Sequence, residues 1–238
     1  MIKFENVTFG YDSSHHIVEN LNFHINKGEN VGLIGANGAG KSTILKLITG
    51  ILVPEGSISI DSLMLNKENL SHIREKLGVV LQDSDDQMFM PTVREDMMFG
   101  PKNYGISDEE IEKRMTDILE QLHISFLKDR HNHKLSGGEK RMAAIATILM
   151  MKPECMIMDE PTAALDPYNR RLVINTIQSL PMTKLITSHD LDMIYDTCDR
   201  VILLSEGKII ADDSKDVILK DKELLEQNHL ELPLRFQN

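Results

Sequence analysis

From Met1 to about Ile25, short apolar runs (Ile2, Phe4, Val7 and Phe9, then Ile17, Val18, Leu21, Phe23 and Ile25) alternate with polar turns, as antiparallel strands do. Val31-Gly32-Leu33-Ile34 is an apolar run too short for a helix. It ends at a glycine-rich turn, and a helical stretch follows from Ser42 to Ile48, so the order is strand, loop, helix. Further short apolar runs at Val79–Leu81, Cys155–Met158, Leu185–Thr187 and Val201–Leu204 alternate with helical segments. That alternation predicts a mostly parallel sheet covered by helices on both faces. Glu206-Gly207 reads as a hairpin turn into Ile209-Ile210.

Between Gln87 and Lys152 the period changes to helical. Ser107 with Glu110 reads as a capping box, after which Ile111, Met115, Ile118, Leu119 and Leu122 share one helical face. A second helix after Ser136 places Met142, Ile145, Ala146 and Leu149 at the same period. The stretch is expected to be a helical insert in an α/β domain. Residues from Ser214 to Asn238 read as a short acidic amphipathic helix with a loose end.

Composition narrows the function classes. Lys+Arg at 26 against Asp+Glu at 37 gives a net charge of −11, which repels a nucleic-acid backbone and an anionic lipid surface alike. No nucleic acid is expected as a partner, and any membrane contact is expected to run through protein. The two cysteines, Cys155 and Cys198, lack metal-ligand spacing and read as reduced core thiols. No apolar run reaches the roughly 18 to 20 residues of a membrane span, and the N-terminus lacks a signal-peptide layout. The nine histidines include the close pairs His15/His16 and His131/His133, both read as solvated loop residues rather than metal ligands.

Gly35-Ala36-Asn37-Gly38-Ala39-Gly40-Lys41-Ser42-Thr43 matches the G-x-x-x-x-G-K-[ST] phosphate loop and sits between a predicted strand and a predicted helix, as that motif requires. Glycines let backbone N–H groups close around phosphate oxygens. Lys41 is placed to reach the β- and γ-phosphates, and the Ser42 hydroxyl to ligate Mg²⁺. Cys155–Met158 is an apolar strand run ending in Asp159 and Glu160. Asp159 is expected to hold Mg²⁺ through water; Glu160, turned elsewhere by strand alternation, is expected to orient and polarise the attacking water.

Leu135-Ser136-Gly137-Gly138-Glu139 resembles the signature sequence of ABC ATPases, and the rest of that family's motifs follow in order. Tyr11 sits where the family stacks an aromatic on adenine, and Gln82 resembles the Q-loop glutamine that touches Mg²⁺. Ala164-Leu165-Asp166 is similar to the D-loop, and His189 to the switch histidine. The resemblance spans nearly the whole chain to about Asp212. It implies an α/β fold with a P-loop (RecA-like) core, a mostly parallel sheet, an N-terminal antiparallel β subdomain and an inserted α-helical subdomain. It divides the chain into an ATPase domain at 1–212, with core segments 1–86 and 153–212 and helical subdomain 87–152, and a short C-terminal helical tail at 213–238.

What the resemblance implies for function is ATP hydrolysis with Mg²⁺. The catalytic residues would be Glu160, His189 and Gln82. Nucleotide would meet Tyr11, Gly35, Asn37, Gly38, Ala39, Gly40, Lys41, Ser42 and Thr43, and, across a dimer, Ser136, Gly137, Gly138, Glu139 and Asp166. Metal would meet Ser42, Gln82 and Asp159. The functional unit would be a homodimer, or a heterodimer with a paralogous ATPase subunit, seated on integral membrane transporter subunits at the cytoplasmic face of the cell membrane.

Within the family, the Asp85-Asp86-Gln87 run and Phe99-Gly100-Pro101-Lys102-Asn103 resemble the energy-coupling-factor branch of cobalt/nickel and vitamin importers. Two positions depart from the usual pattern: Asp83-Ser84 follows the Q-loop glutamine, and Glu139 stands where glutamine normally ends the signature. The alternative function is a soluble ABC ATPase of a cofactor-assembly complex, which the identity of copurifying proteins would distinguish.

Overall fold

The alternating N-terminal stretch forms β1 (Ile2–Phe9) and β2 (Val18–Ile25), paired antiparallel with Ile2 opposite Ile25 and Phe4 opposite Phe23. This is a computed structural model, and it describes residues 1–12 and 15–237. The chain continues through β3 (Asn30–Ile34), α1 (Lys41–Ile48), β4 (Glu55–Ile60), β5 (Leu63–Met64), α2 (Leu70–Lys76) and β6 (Leu77–Val80). The insert carries α3 (Val93–Asn103), α4 (Asp108–Gln121) and α5 (Gly137–Leu149). The remainder is β7 (Cys155–Asp159), α6 (Pro167–Ser179), β8 (Thr183–Thr187), α7 (Leu191–Thr197), β9 (Arg200–Ser205), β10 (Lys208–Ser214), α8 (Lys215–Ile218) and α9 (Lys222–Gln227).

Two sheets result. One has four strands in the order β2-β1-β4-β5, all antiparallel neighbours. The other has six in the order β10-β9-β3-β8-β7-β6, parallel throughout except for β10, which returns antiparallel across the Glu206-Gly207 turn. Because β3, β8, β7 and β6 run the same way, the segments that follow Ile34, Thr187, Asp159 and Val80 all leave from one edge of the sheet. Ligands in open parallel sheets are met at that carboxyl edge.

Side-chain alternation splits β7 between two cores: Cys155 and Ile157 pack with α1 and the antiparallel sheet, Met156 and Met158 with the insert and α6–α7. Helices therefore cover one face of the parallel sheet, while α1 shares the other with the antiparallel sheet. Both thiols are buried and unpaired, and burial pushes each up to about 12, as expected of inert core cysteines.

Two local expectations are corrected. Ser107 accepts from the Glu110 N–H, but the Glu110 carboxylate does not reach back to close a capping box. It accepts from Arg114 Nε at 2.7 Å and pairs with Lys152 at 3.5 Å, since a carboxylate offered two cations favours them over a neutral amide. The tail forms two short helices, and its end is docked: Arg235 meets Asp192 at 2.7 Å and Asp196 at 2.8 Å, and Phe236 lies edge-on to Tyr195 at 5.1 Å. Asn238 lies outside the described residues.

Candidate active site

Helix α1 begins at Gly40, whose φ of 109° is left-handed and whose added Cβ would lie 2.8 Å from Val18 Cγ1. Only glycine takes that backbone at no steric cost. No side chain caps the helix and its first turn has no acid, so its leading N–H groups are left for an external acceptor. Lys41, the first helical residue, is buried. Its Nζ donates to Gly35 O at 2.6 Å and Ala36 O at 3.2 Å, and lies 3.5 Å from His189 Nε2. Burial lowers the Lys41 pKa, opposed by the negative charges of Glu160 and Asp159. A buried ammonium at the positive end of a helix, held by neutral carbonyls, is arranged for an anion.

The acidic strand end faces this lysine. Thr187, level with Asp159 in the parallel register of β8 and β7, donates its hydroxyl to Asp159 Oδ1 at 2.5 Å. Glu160 lies one residue past the end of β7 with φ 47°. A left-handed turn, rather than strand alternation, therefore aims its side chain. Glu160 Oε2 accepts from Ser188 Oγ at 3.1 Å and from the His189 N–H at 3.2 Å, while Oε1 is buried with no hydrogen-bond donor among the described residues and stands 3.5 Å from His189 Nε2. Buried carboxylate oxygens are rarely left so, which marks Oε1 as the atom open to a ligand or water.

One cleft of about 420 Å³ gathers Tyr11, Asn37 through Thr43, Gln82, Asp159, Glu160 and His189. Gly35 stands at its base through the carbonyl that holds Lys41. Tyr11 is 61% exposed and its ring stands perpendicular to that of Phe9 at 5.2 Å. The Gln82 side chain makes no hydrogen bond among the described residues and projects to the same cleft.

The signature residues do not line this cleft. Ser136 accepts from the Glu139 N–H at 3.3 Å, and Glu139 Oε2 accepts from the Ser136 N–H at 2.8 Å, a closed capping box at the start of α5. Gly138 packs against Asn169, where a Cβ would lie 2.1 Å from that side chain. Asp166 caps α6, accepting from the N–H groups of Tyr168 at 2.9 Å and Asn169 at 3.1 Å. The histidine pairs stay exposed, and among the described residues no group of three or more metal-ligating side chains forms.

Sequence reasoning missed Thr187, Gln87 and Arg141. Thr187 had a signal, a hydroxyl ending the strand next to the acidic one. Gln87, read from sequence only as part of the Asp85-Asp86-Gln87 run, is a brace: its Oε1 accepts from the Leu81 N–H at 3.0 Å and its Nε2 donates to Ala144 O at 3.1 Å. Arg141 falls three residues after Gly138 and four before Ile145, on the buried face of α5, so the helical period was its signal.

Comparison with known proteins agrees with this geometry. The family model described as ABC transporter matches residues 18–163. An ABC transporter ATP-binding protein of Geobacter sulfurreducens is 44% identical over 94% of this chain and 97% of its own. The energy-coupling factor transporter ATP-binding protein EcfA of Methanothermobacter thermautotrophicus is 41% identical over 98% of this chain and 77% of its own. Among solved structures, cbiO1 of Clostridium perfringens, part of the ABC transporter complex cbiONQ, superposes with a TM-score of 0.84 at 34% identity, covering 95% of this chain and 93% of that one. Among the described residues no helix is long and apolar enough to cross a membrane. With a phosphate loop, an acidic strand end and a histidine in one cleft, and the signature set apart from it, the chain belongs to the ABC transporter family as an ATP-hydrolysing subunit.

Proposed function

We propose that this subunit works in a pair, with an identical chain or a paralogue, and drives substrate import through membrane subunits of the energy-coupling-factor type. The observation that carries the pairing is the position of Ser136-Gly137-Gly138-Glu139, outside the chain's own nucleotide cleft. A second subunit would bring that segment to the phosphates, as the fold family's head-to-tail arrangement requires. The likeness to EcfA and to cbiO1 supports the branch, as do the Asp85-Asp86-Gln87 and Phe99–Asn103 segments.

The donor set fits MgATP: a buried ammonium lacking an anion, uncapped helix N–H groups and an orphaned carboxylate oxygen. Ser42, Gln82 and Asp159 would hold Mg²⁺, which when bound neutralises phosphate charge. Tyr11 would stack on the adenine, and Lys41 with the Gly35–Thr43 backbone would hold the phosphates. Glu160 would orient and polarise the attacking water from Oε1, and His189, tied to Glu160 through its own N–H, would face the terminal phosphate. Glu139 and Asp166, with Ser136 to Gly138, would complete the partner's site. We place the core at 1–86 and 153–212, the helical subdomain at 87–152 and the tail at 213–238, on the cytoplasmic face of the cell membrane.

The insert supplies the surface for the membrane partner. Phe89 and Phe99 are both exposed and meet edge-to-face at 4.9 Å, and exposed Asp85 and Asp86 precede Phe89 by a few residues in the chain. Aromatic anchors with flanking charge suit docking of a basic helix end. The test is copurification from detergent-solubilised membranes with an Asp86→Lys/Phe89→Ala variant, which leaves the Gln87 brace intact. Recovery of integral membrane proteins should fall about tenfold or more, with soluble ATPase activity within about twofold. Recovery of soluble proteins alone by the unmodified chain would favour the cofactor-assembly alternative.

A further inference from the structure

The Gln82 side chain makes no hydrogen bond among the described residues, so its place in the cleft is set by its backbone. Val80 is the last residue of β6, and what holds the backbone beyond it comes from α5. Arg141 lies in the second turn of that helix and is only 3% exposed. Its guanidinium donates through one terminal nitrogen to Leu81 O and through the other to Gln82 O at 2.5 Å. Gln87 bridges the Leu81 N–H and Ala144 O, and Lys140 pairs with Asp85. Three side chains thus tie residues 81–87 to the helix that begins with the signature.

We propose that Arg141 is a positioning residue for Gln82, locking the strand-end glutamine to the signature helix so that the two shift as one piece. The proposal rests on reading Gln82 as a Mg²⁺-facing residue. Fold stability alone does not account for this arginine. No carboxylate forms an ion pair with it among the described residues, and its Nε is buried without a partner. Burial lowers its pKa against the more distant charges of Asp83 and Asp159. A buried guanidinium without a counter-ion is costly, and an apolar side chain of similar volume commonly serves packing better. What the guanidinium offers instead is a rigid planar fork that holds two successive carbonyls at a fixed separation. Any rotation of α5 as the signature engages a partner's nucleotide then moves the Gln82 backbone in the same step. Conversely, a ligand that draws Gln82 inward pulls on α5.

The test compares Arg141→Met, Arg141→Lys, Gln82→Ala and each Arg141 change combined with Gln82→Ala. Three readouts are taken: amide exchange of residues 81–87 in the nucleotide-free protein, the ratio of affinities for a fluorescent ATP analogue with and without Mg²⁺, and kcat with KM for ATP. Arg141→Met should speed exchange at 81–87, remove most of the Mg²⁺-dependent gain in affinity, and lower kcat about tenfold, with KM for ATP rising only by the affinity so lost. Arg141→Lys, able to hold one carbonyl, should recover part of each. In Mg²⁺ response and in kcat each double variant should match Gln82→Ala alone, because a residue acting through another adds nothing once that other is gone, while exchange at 81–87 should still rise with the loss of Arg141. Additive losses, or a lower Tm with unchanged exchange and Mg²⁺ response, overturn the proposal. If Arg141→Met does not fold, Arg141→Lys with its double variant closes the same cycle. A Gln82→Ala protein with wild-type Mg²⁺ response overturns the reading of Gln82 and the relay together, whereas a sensitive Gln82→Ala with additive Arg141 effects overturns the relay alone.

Discussion

Helix α1 starts at Gly40 with no side chain on its leading N–H groups, no acid in its first turn and a buried lysine at its first position, whereas α5 starts at Ser136 with a reciprocal cap from Glu139. Both starts are rich in glycine, and both are read as phosphate-facing. The difference lies in who satisfies the helix. At α1 the donors and the ammonium are arranged for a ligand the chain does not itself supply, a local cost that the rest of the core absorbs. At α5 the donors are already answered by the chain's own hydroxyl and carboxylate. On the proposed function, the first start would take a nucleotide in its own cleft, and the second, already capped, would meet one brought by a partner.

The comparison breaks most sharply at α1. Lys41→Ala should abolish detectable ATP binding while leaving the fold intact, because the residue removed is a buried cation that forms no ion pair among the described residues. Glu160→Gln should keep binding, lose hydrolysis by about a hundredfold or more, and accumulate an ATP-bound dimer, since on the proposed function Glu160 would act on the water rather than on ground-state phosphate. Nucleotide titration, phosphate release and size-exclusion chromatography with ATP measure all three. Wild-type turnover by Glu160→Gln would take that residue out of the hydrolytic step.

A second pair of changes asks whether the two helix starts differ as argued. Gly40→Ala forces a side chain into a left-handed φ and against Val18, so it should cost about 1–3 kcal/mol and weaken ATP binding about tenfold or more. Ser136→Ala should cost about 1 kcal/mol, a Tm loss of about 2–4 °C. ATP affinity of the isolated subunit should stay within about twofold, because Ser136 lies outside that cleft. Equal losses of affinity in the two variants would mean that the signature reaches its own nucleotide.

Both starts were legible in the sequence, while the contacts around them were not. Everything that shapes the phosphate loop lies within Gly35–Thr43, so a short motif carries it, and the parallel strands then deliver Asp159 and His189 to the same edge. Ser136 and Glu139 are likewise local, and the capping box follows from spacing. What spacing cannot show is a competitor from elsewhere. Glu110 has the same spacing from Ser107, but Arg114 and Lys152 claim its carboxylate. Gln87 and Arg141 bond to partners more than fifty residues away, so only the fold reveals them as braces. The tail's docked end depends on Asp192 and Asp196, which a local reading of residues 214–238 does not contain.

Glu139 separates the two starts by the smallest change, one atom and one charge. Its carboxylate accepts from the Ser136 N–H at 2.8 Å, and a glutamine carbonyl can accept the same bond, so Glu139→Gln should leave the cap and the fold in place. The charge differs. A carboxylate in the first turn favours the helix by about 0.3–1 kcal/mol, so the nucleotide-free variant should melt about 1–3 °C lower. In the pair, the same carboxylate stands near where the partner's phosphates would dock, and its loss should tighten ATP-dependent dimerisation. Screening by water and counter-ions limits that gain to about a few-fold, larger at low salt than at high. The comparison is between Glu160→Gln and Glu160→Gln/Glu139→Gln, by dimer dissociation constant with ATP at two ionic strengths and by Tm without nucleotide. A lower Tm with tighter, salt-sensitive pairing would place the carboxylate against incoming phosphate. Equal or weaker pairing would mean that Glu139 stays folded onto Ser136 in the dimer and serves α5 as a cap alone.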